Sequence, residues 1–191
     1  MKKIGTKIVT VLAACAALVL ASCAQPSTSG SGTKAEAEAG TGTKVEYGLT
    51  ALDGWGFYTI AEATATSARV SYTGKAPTQY STCCGADINT GTATKATFKV
   101  KNNGTESAYV KLDVKNDDDG SAVTAATIDG SAADVQWGGA DTTIDAGGEV
   151  EFVFTLDPAK NANKLVVGLN NNLASNPTSG DITISDAYMY K

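Results

Sequence analysis

The sequence predicts an all-β protein, a two-sheet antiparallel β-sandwich (jelly roll) over residues 45–191. Three observations predict it. From Val45 onward apolar residues recur with a period of two, the spacing that puts side chains of an extended chain on one face. No stretch of this region has the i, i+3, i+4, i+7 apolar stripe of an amphipathic helix. Gly, Asn and Asp separate the apolar runs into eight or nine short strands, the pattern of sandwiches.

The elements follow in order. Candidate strands lie at 57–65 and 68–73. Ala96, Phe98 and Val100 then alternate with Lys95, Thr97, Lys99 and Lys101. After Asn102-Asn103-Gly104, Ala108, Val110, Leu112 and Val114 alternate with Tyr109, Lys111, Asp113 and Lys115. Two such runs around an Asn-Gly turn predict an antiparallel hairpin with one wet face. Asn116-Asp117-Asp118-Asp119-Gly120 reads as a polar turn. Lys115 stands where a calcium loop needs its first acid, and the distant bidentate Glu is missing. Candidates at 122–128 and 133–137 precede the runs Val150–Leu156 and Leu165–Leu169, and the last strand is 181–190. In it Ile182 and Ile184 share one parity, Ala187 and Met189 the other. All four reach a core only with an extra residue near Ser185-Asp186, a β-bulge that leaves Tyr188 and Tyr190 outward.

Composition narrows the chemistry. The chain has 191 residues, 15 Lys+Arg, 20 Asp+Glu and no histidine. Ser-His-Asp and Cys-His catalysis are therefore excluded within it. No carboxylate pair stands in a recognisable hydrolase motif, so the expectation is a protein that is not an enzyme. A net charge of -5 argues against nucleic acid, whose binders present basic patches.

Lys2, Lys3 and Lys7 precede an apolar run from Ile8 to Ala21, broken only by Thr10 and too short to span a bilayer comfortably. Its end, Leu20-Ala21-Ser22-Cys23, resembles the lipobox of bacterial lipoproteins. That resemblance implies a signal peptide at 1–22, a lipid on Cys23 as the new N-terminus, and a partner in the membrane. Export to the cell membrane or outer membrane, with the domain exposed at the surface, would follow. Losing the three leader lysines would take the net charge from -5 to -8. Residues 23–44 are rich in Ser, Gly, Thr and Ala without large apolar side chains, and read as a flexible linker of roughly 25 Å end to end.

Gly180-Asp-Ile-Thr-Ile-Ser-Asp-Ala-Tyr-Met-Tyr190 resembles the closing strand of jelly-roll carbohydrate-binding modules with the galactose-binding-like fold. Leu52-Asp-Gly-Trp55 is similar to their early strand. The resemblance implies a non-catalytic module that binds polysaccharide or oligosaccharide and requires no cofactor. In that family an aspartate of the last strand commonly helps hold a structural calcium. Here it is displaced to Asp186, the implied calcium ligand; the other reading is an Asp bonding its own backbone at the bulge.

Sugars stack their C–H faces on aromatic rings and take hydrogen bonds from planar polar groups. Trp55, Tyr58, Tyr80, Tyr109 and Trp137 are the candidate rings. Both tryptophans adjoin glycine, and either present a ring to ligand or plug the ends of the sandwich. The resemblance places Trp55 near the core. Tyr109 has outward parity, as does Arg69, which either grips hydroxyls or forms a surface ion pair. Cys83 and Cys84 are the pair left once Cys23 is lipidated. They form a vicinal disulfide whose flat knuckle stacks on sugar, remain free thiols, or bridge to other molecules. The function expected is surface-tethered polysaccharide binding; the alternative is a structural or adhesive lipoprotein holding a protein partner at a sheet edge.

Overall fold

A computed structural model describes residues 42–74, 92–115, 121–162, 164–171, 173–175 and 177–191, and the backbone of 83–85. Two antiparallel sheets pack face to face. The larger carries β3 (Thr59–Ala61), β4 (Ala68–Thr73), β13 (Ser179–Tyr190), β6 (Lys95–Asn102), β11 (Glu149–Leu156), β8 (Val123–Ile128) and β9 (Ser131–Ala133) in that order, with β1 (Lys44–Glu46) beside the end of β13. The smaller runs β10 (Gly139–Ile144), β7 (Ala108–Lys115), β12 (Lys164–Leu169), β5 (Cys83–Gly85) and β2 (Leu52–Asp53). Four strands of each make the jelly roll: β4-β13-β6-β11 faces β5-β12-β7-β10. Taken in chain order these are first, eighth, third, sixth against second, seventh, fourth, fifth, so successive strands change sheets at every step except from β7 to β10, which pair side by side.

The period-two runs explain the core. Phe98, Val100, Phe152, Phe154, Ile182 and Ile184 come from one sheet, and Val110, Leu112, Leu165, Val167 and Leu169 from the other; all are buried. Phe98 meets Phe154 edge-on at 6.0 Å and Tyr47 at 4.7 Å, the T-shaped arrangement aromatic pairs favour. The irregularity of the last strand is a bulge. The β13–β6 register shifts between Ser185 and Tyr188, with Asp186 at φ 48°. Ala187 and Met189 thereby stay buried, and Tyr188 and Tyr190 turn outward under the ammonium groups of Lys44 and Lys95, at 3.6 and 4.0 Å.

The structure corrects the expected hairpin. β6 and β7 lie in different sheets, and the Asn102–Ser107 segment arches between them. Alternation specifies one apolar face per strand but not whether the next strand lies beside it or across the core. Asn102 decides this locally. Its buried amide donates to the carbonyl oxygens of Glu106, Ile144 and Asp145 at 2.8–3.2 Å and accepts from Gly104 N–H, pinning the chain as it crosses over. The strand expected at 57–65 shrinks to Thr59–Ala61, and that at 133–137 ends at Ala133. β10 was not foreseen, because only Ala140 and Ile144 of its inward positions are apolar and buried.

Candidate functional site

The two tryptophans are the exposed large apolar side chains among the described residues, Trp137 at 79% and Trp55 at 63%. Each sits in the left-handed region, φ 56° and 49°, and each precedes a glycine that also has positive φ. For a bulky residue this backbone costs on the order of 1 kcal/mol, and neither ring recovers that by burial.

The expectation of Trp55 near the core is corrected. Its N–H donates to Asp53 Oδ1 at 2.9 Å, and Phe57 N–H and Tyr58 N–H both donate to Gly54 O. This tight turn throws the Trp55 ring outward while Tyr58 takes the buried place, its hydroxyl donating to Leu169 O at 3.2 Å.

Trp137 lies at the other edge of the five-stranded sheet, in the turn between β9 and β10. Gln136 and Gly139 bond to each other across that turn, and Gly138 O accepts from Val114 N–H. Beside it a groove of about 430 Å³ opens between the free edges of the two sheets. Ser131, Asp134 and Gln136 line one part of it; Asp141 and Thr142 of β10 line another. Asp141 also lies near enough to Tyr109 for its negative charge to act on the phenol. Burial, and then the negative charges of Asp141 and Asp113, push the Tyr109 hydroxyl up to about 12. Tyr109 is half-buried on the outer face of the five-stranded sheet. Asp141 thus links it to the groove beside Trp137.

Between these rings, on the same face, lies Asp113, only 7% exposed. Lys111 and Lys115 approach it from either side at 3.4 and 3.9 Å. Burial raises its carboxyl above the ordinary range, against the pull of the two lysines.

The remaining expected residues do not join this site. Arg69 is on the outer face of the other sheet, where its guanidinium donates twice to Asp181, at 3.0 and 2.5 Å. Asn103 Nδ2 donates to the same carboxylate at 3.0 Å. Arg69 is therefore in the surface ion pair, and that bond holds the Asp181 carboxyl below its usual range. Asp186 takes Lys99 at 2.8 Å; among the described residues no group of three His, Cys, Asp or Glu is placed to hold a metal ion. Tyr80 lies outside the described residues, as do residues 1–41 with Cys23. Of Cys83 and Cys84 the backbone is described: position 83 pairs with Val167, and position 84 with Val166 and Asp53.

A second cleft, of about 500 Å³, opens at the end of the sandwich between the Asn102–Ser107 arch and the start of β13. Its buried amides are committed to the fold. Asn170 Oδ1 accepts from Tyr109 N–H and its Nδ2 donates to Tyr72 OH, while Asn102 holds the arch. It presents no exposed ring, which leaves the Trp137 groove as the better ligand site. Sequence reasoning missed Asp134, Gln136 and Asp141; the outward parity of Asp141 beside Ala140 was the available signal.

Neither a protein-family model nor a curated protein sequence matches the chain.

Proposed function

We propose that the protein is a non-catalytic polysaccharide-binding module carried on a lipid anchor at Cys23, with Trp137 as its principal stacking ring. The observation that carries the reading is Trp137 itself. A 79%-exposed indole is held in a left-handed backbone, next in sequence to Gln136, which lines a groove with carboxylate, amide and hydroxyl groups on its walls. An exposed large ring on a strained, hydrogen-bonded turn is what a stacking platform needs, and planar polar groups beside it orient the sugar hydroxyls. Tyr109, through Asp141, extends the surface along β7 and β10. Each site binds modestly, because hydroxyls exchange water bonds for protein bonds at little net gain.

The test is retention of the purified full chain on a panel of soluble and insoluble polysaccharides, under oxidising and then reducing conditions. Retention on one glycan class, weakened at least about tenfold by Trp137→Ala as expected for a lost stacking ring, supports the reading. Loss on reduction would add Cys83 and Cys84 to the site. A folded chain retained on nothing in the panel overturns the proposal, and the protein-partner alternative would then be pursued by crosslinking.

A further inference from the structure

We infer that Asn103 is a site of spontaneous deamidation, held unreacted while the Asn102–Ser107 arch is closed, and that its conversion loosens the arch from β13.

Asn103-Gly104 is the one Asn-Gly pair in the chain. Such a pair is chemically labile, because glycine puts no side chain in the way of its own amide nitrogen. The Gly104 nitrogen attacks Asn103 Cγ. The N–Cγ bond forms, the Cγ–Nδ2 bond breaks, and the amide leaves as ammonia with the proton from Gly104. Water then opens the five-membered imide at either carbonyl, leaving aspartate or isoaspartate at position 103. Water is the only co-reactant.

The folded arch opposes the first step at both reacting atoms. Gly104 N–H donates to Asn102 Oδ1 at 2.9 Å, so the attacking nitrogen keeps its proton and points at another side chain. The Asn103 carboxamide is turned to β13, where Nδ2 donates to Asp181 Oδ1 at 3.0 Å and to Thr183 Oγ1 at 2.9 Å. Asn103 N–H also donates to Asp181 O at 2.9 Å, which fixes the backbone between the two. Asn103 is exposed, so water reaches it in either state. Reaction therefore waits on local opening of the arch.

Conversion would hinder reclosure. Asn103 Nδ2 is a donor to Asp181, whereas a carboxylate at the same place can only accept. Asp181 is itself kept ionised, by Arg69 first and by the Asn103 amide as well. Two carboxylates would then meet where an amide and a carboxylate now bond. Isoaspartate would further lengthen the main chain between Asn102 and Gly104, whose mutual bond helps hold the arch.

The purified full chain is aged in mildly alkaline buffer, folded and in urea, then digested and followed by peptide mass spectrometry. In urea, position 103 should convert first of all the asparagines, to both aspartate and isoaspartate. In the folded chain it should convert at least about tenfold more slowly, the factor set by the opening equilibrium. Asn103→Asp copies one product and should lower the folded-to-unfolded ratio about tenfold. Combined with Asp181→Asn, it should cost less than the two substitutions added singly, because the pair restores an amide opposite a carboxylate. Equal rates in the two states, or earlier conversion of another asparagine in urea, overturns the assignment of a protected site. An Asn103→Asp chain as stable as the parent, or strictly additive costs, overturns the loosening.

Discussion

Gly139 and Asp113 face each other across β10 and β7 so closely that a Cβ on Gly139 would stand 1.8 Å from Asp113 Oδ1 and 2.5 Å from Leu112 O. The carboxylate occupies the space a side chain would have filled, which is how an acid comes to be almost fully covered on the outer face of a sheet. Backbone lies on one side and a bonded lysine pair on the other, so neither neighbour gives way easily. Gly139→Ala should therefore lower folding stability by about 2 kcal/mol, within the range for overpacking, read as a lower denaturant midpoint at unchanged m.

Asp113 should also leave a signature in the pH dependence. Burial raises its folded-state carboxyl above the ordinary 3.8, with Lys111 and Lys115 pulling the other way. A raised acid binds its proton more tightly in the native state. Its contribution is therefore greatest below the unfolded value and declines as pH rises through the folded value. Asp113→Asn removes this decline. Between pH 4 and pH 7 the variant should gain stability relative to the parent; denaturant midpoints that move in parallel at the two pH values would contradict the assignment.

Tyr47 offers a cleaner substitution. Its ring is buried against Phe98, and its hydroxyl finds no partner among the described residues. Tyr47→Phe keeps the ring and removes a buried unpaired polar group, so stability should rise by about 1–2 kcal/mol. Burial also pushes this phenol well above its ordinary value. The parent should accordingly lose stability as pH rises beyond 10, and the Phe variant should lose less.

Trp137 is expected to separate stability from binding. Trp137→Gly relieves a left-handed backbone at an exposed site where little packing is lost. Thermal unfolding should shift upward by up to about 1 kcal/mol, the strain relief being partly offset by the extra freedom of glycine in the unfolded chain. Glycan retention should fall in the same variant. A loss of stability instead would mean that the indole packs in solution.

The period-two runs make the strand faces legible in the sequence, down to the bulge that Ile182, Ile184, Ala187 and Met189 require. What they did not carry was partnership. The same alternation in Ala96–Val100 and Ala108–Val114 serves a hairpin or an arch equally well, and the choice lies in one buried amide, Asn102, contacting residues more than forty positions away. The site was half legible for a related reason. Tryptophan next to glycine marked both exposed turns, but Asp134, Gln136 and Asp141 are ordinary polar residues until β9 and β10 stand at neighbouring sheet edges. The pairing of Arg69 with Asp181, 112 positions on, is likewise a product of the β4–β13 register.

That register has a consequence for assembly in time. β13 is the spine of the larger sheet: it pairs with β4 on one side, β6 on the other, and β1 at its far end, where Lys44 meets Tyr190. A chain made from its N-terminus has none of these pairings until Ser179–Tyr190 emerge. Contacts this remote in sequence close slowly. During synthesis β4 and β6 therefore wait with unfilled edges, and the nascent chain remains threadable until the final strand inserts between them. The half of β13 behind Ile184 carries the pairing with β1 and with the Lys95–Lys99 half of β6, whereas the half up to Ile184 carries the whole ladder with β4, so one strand fastens different neighbours at its two ends.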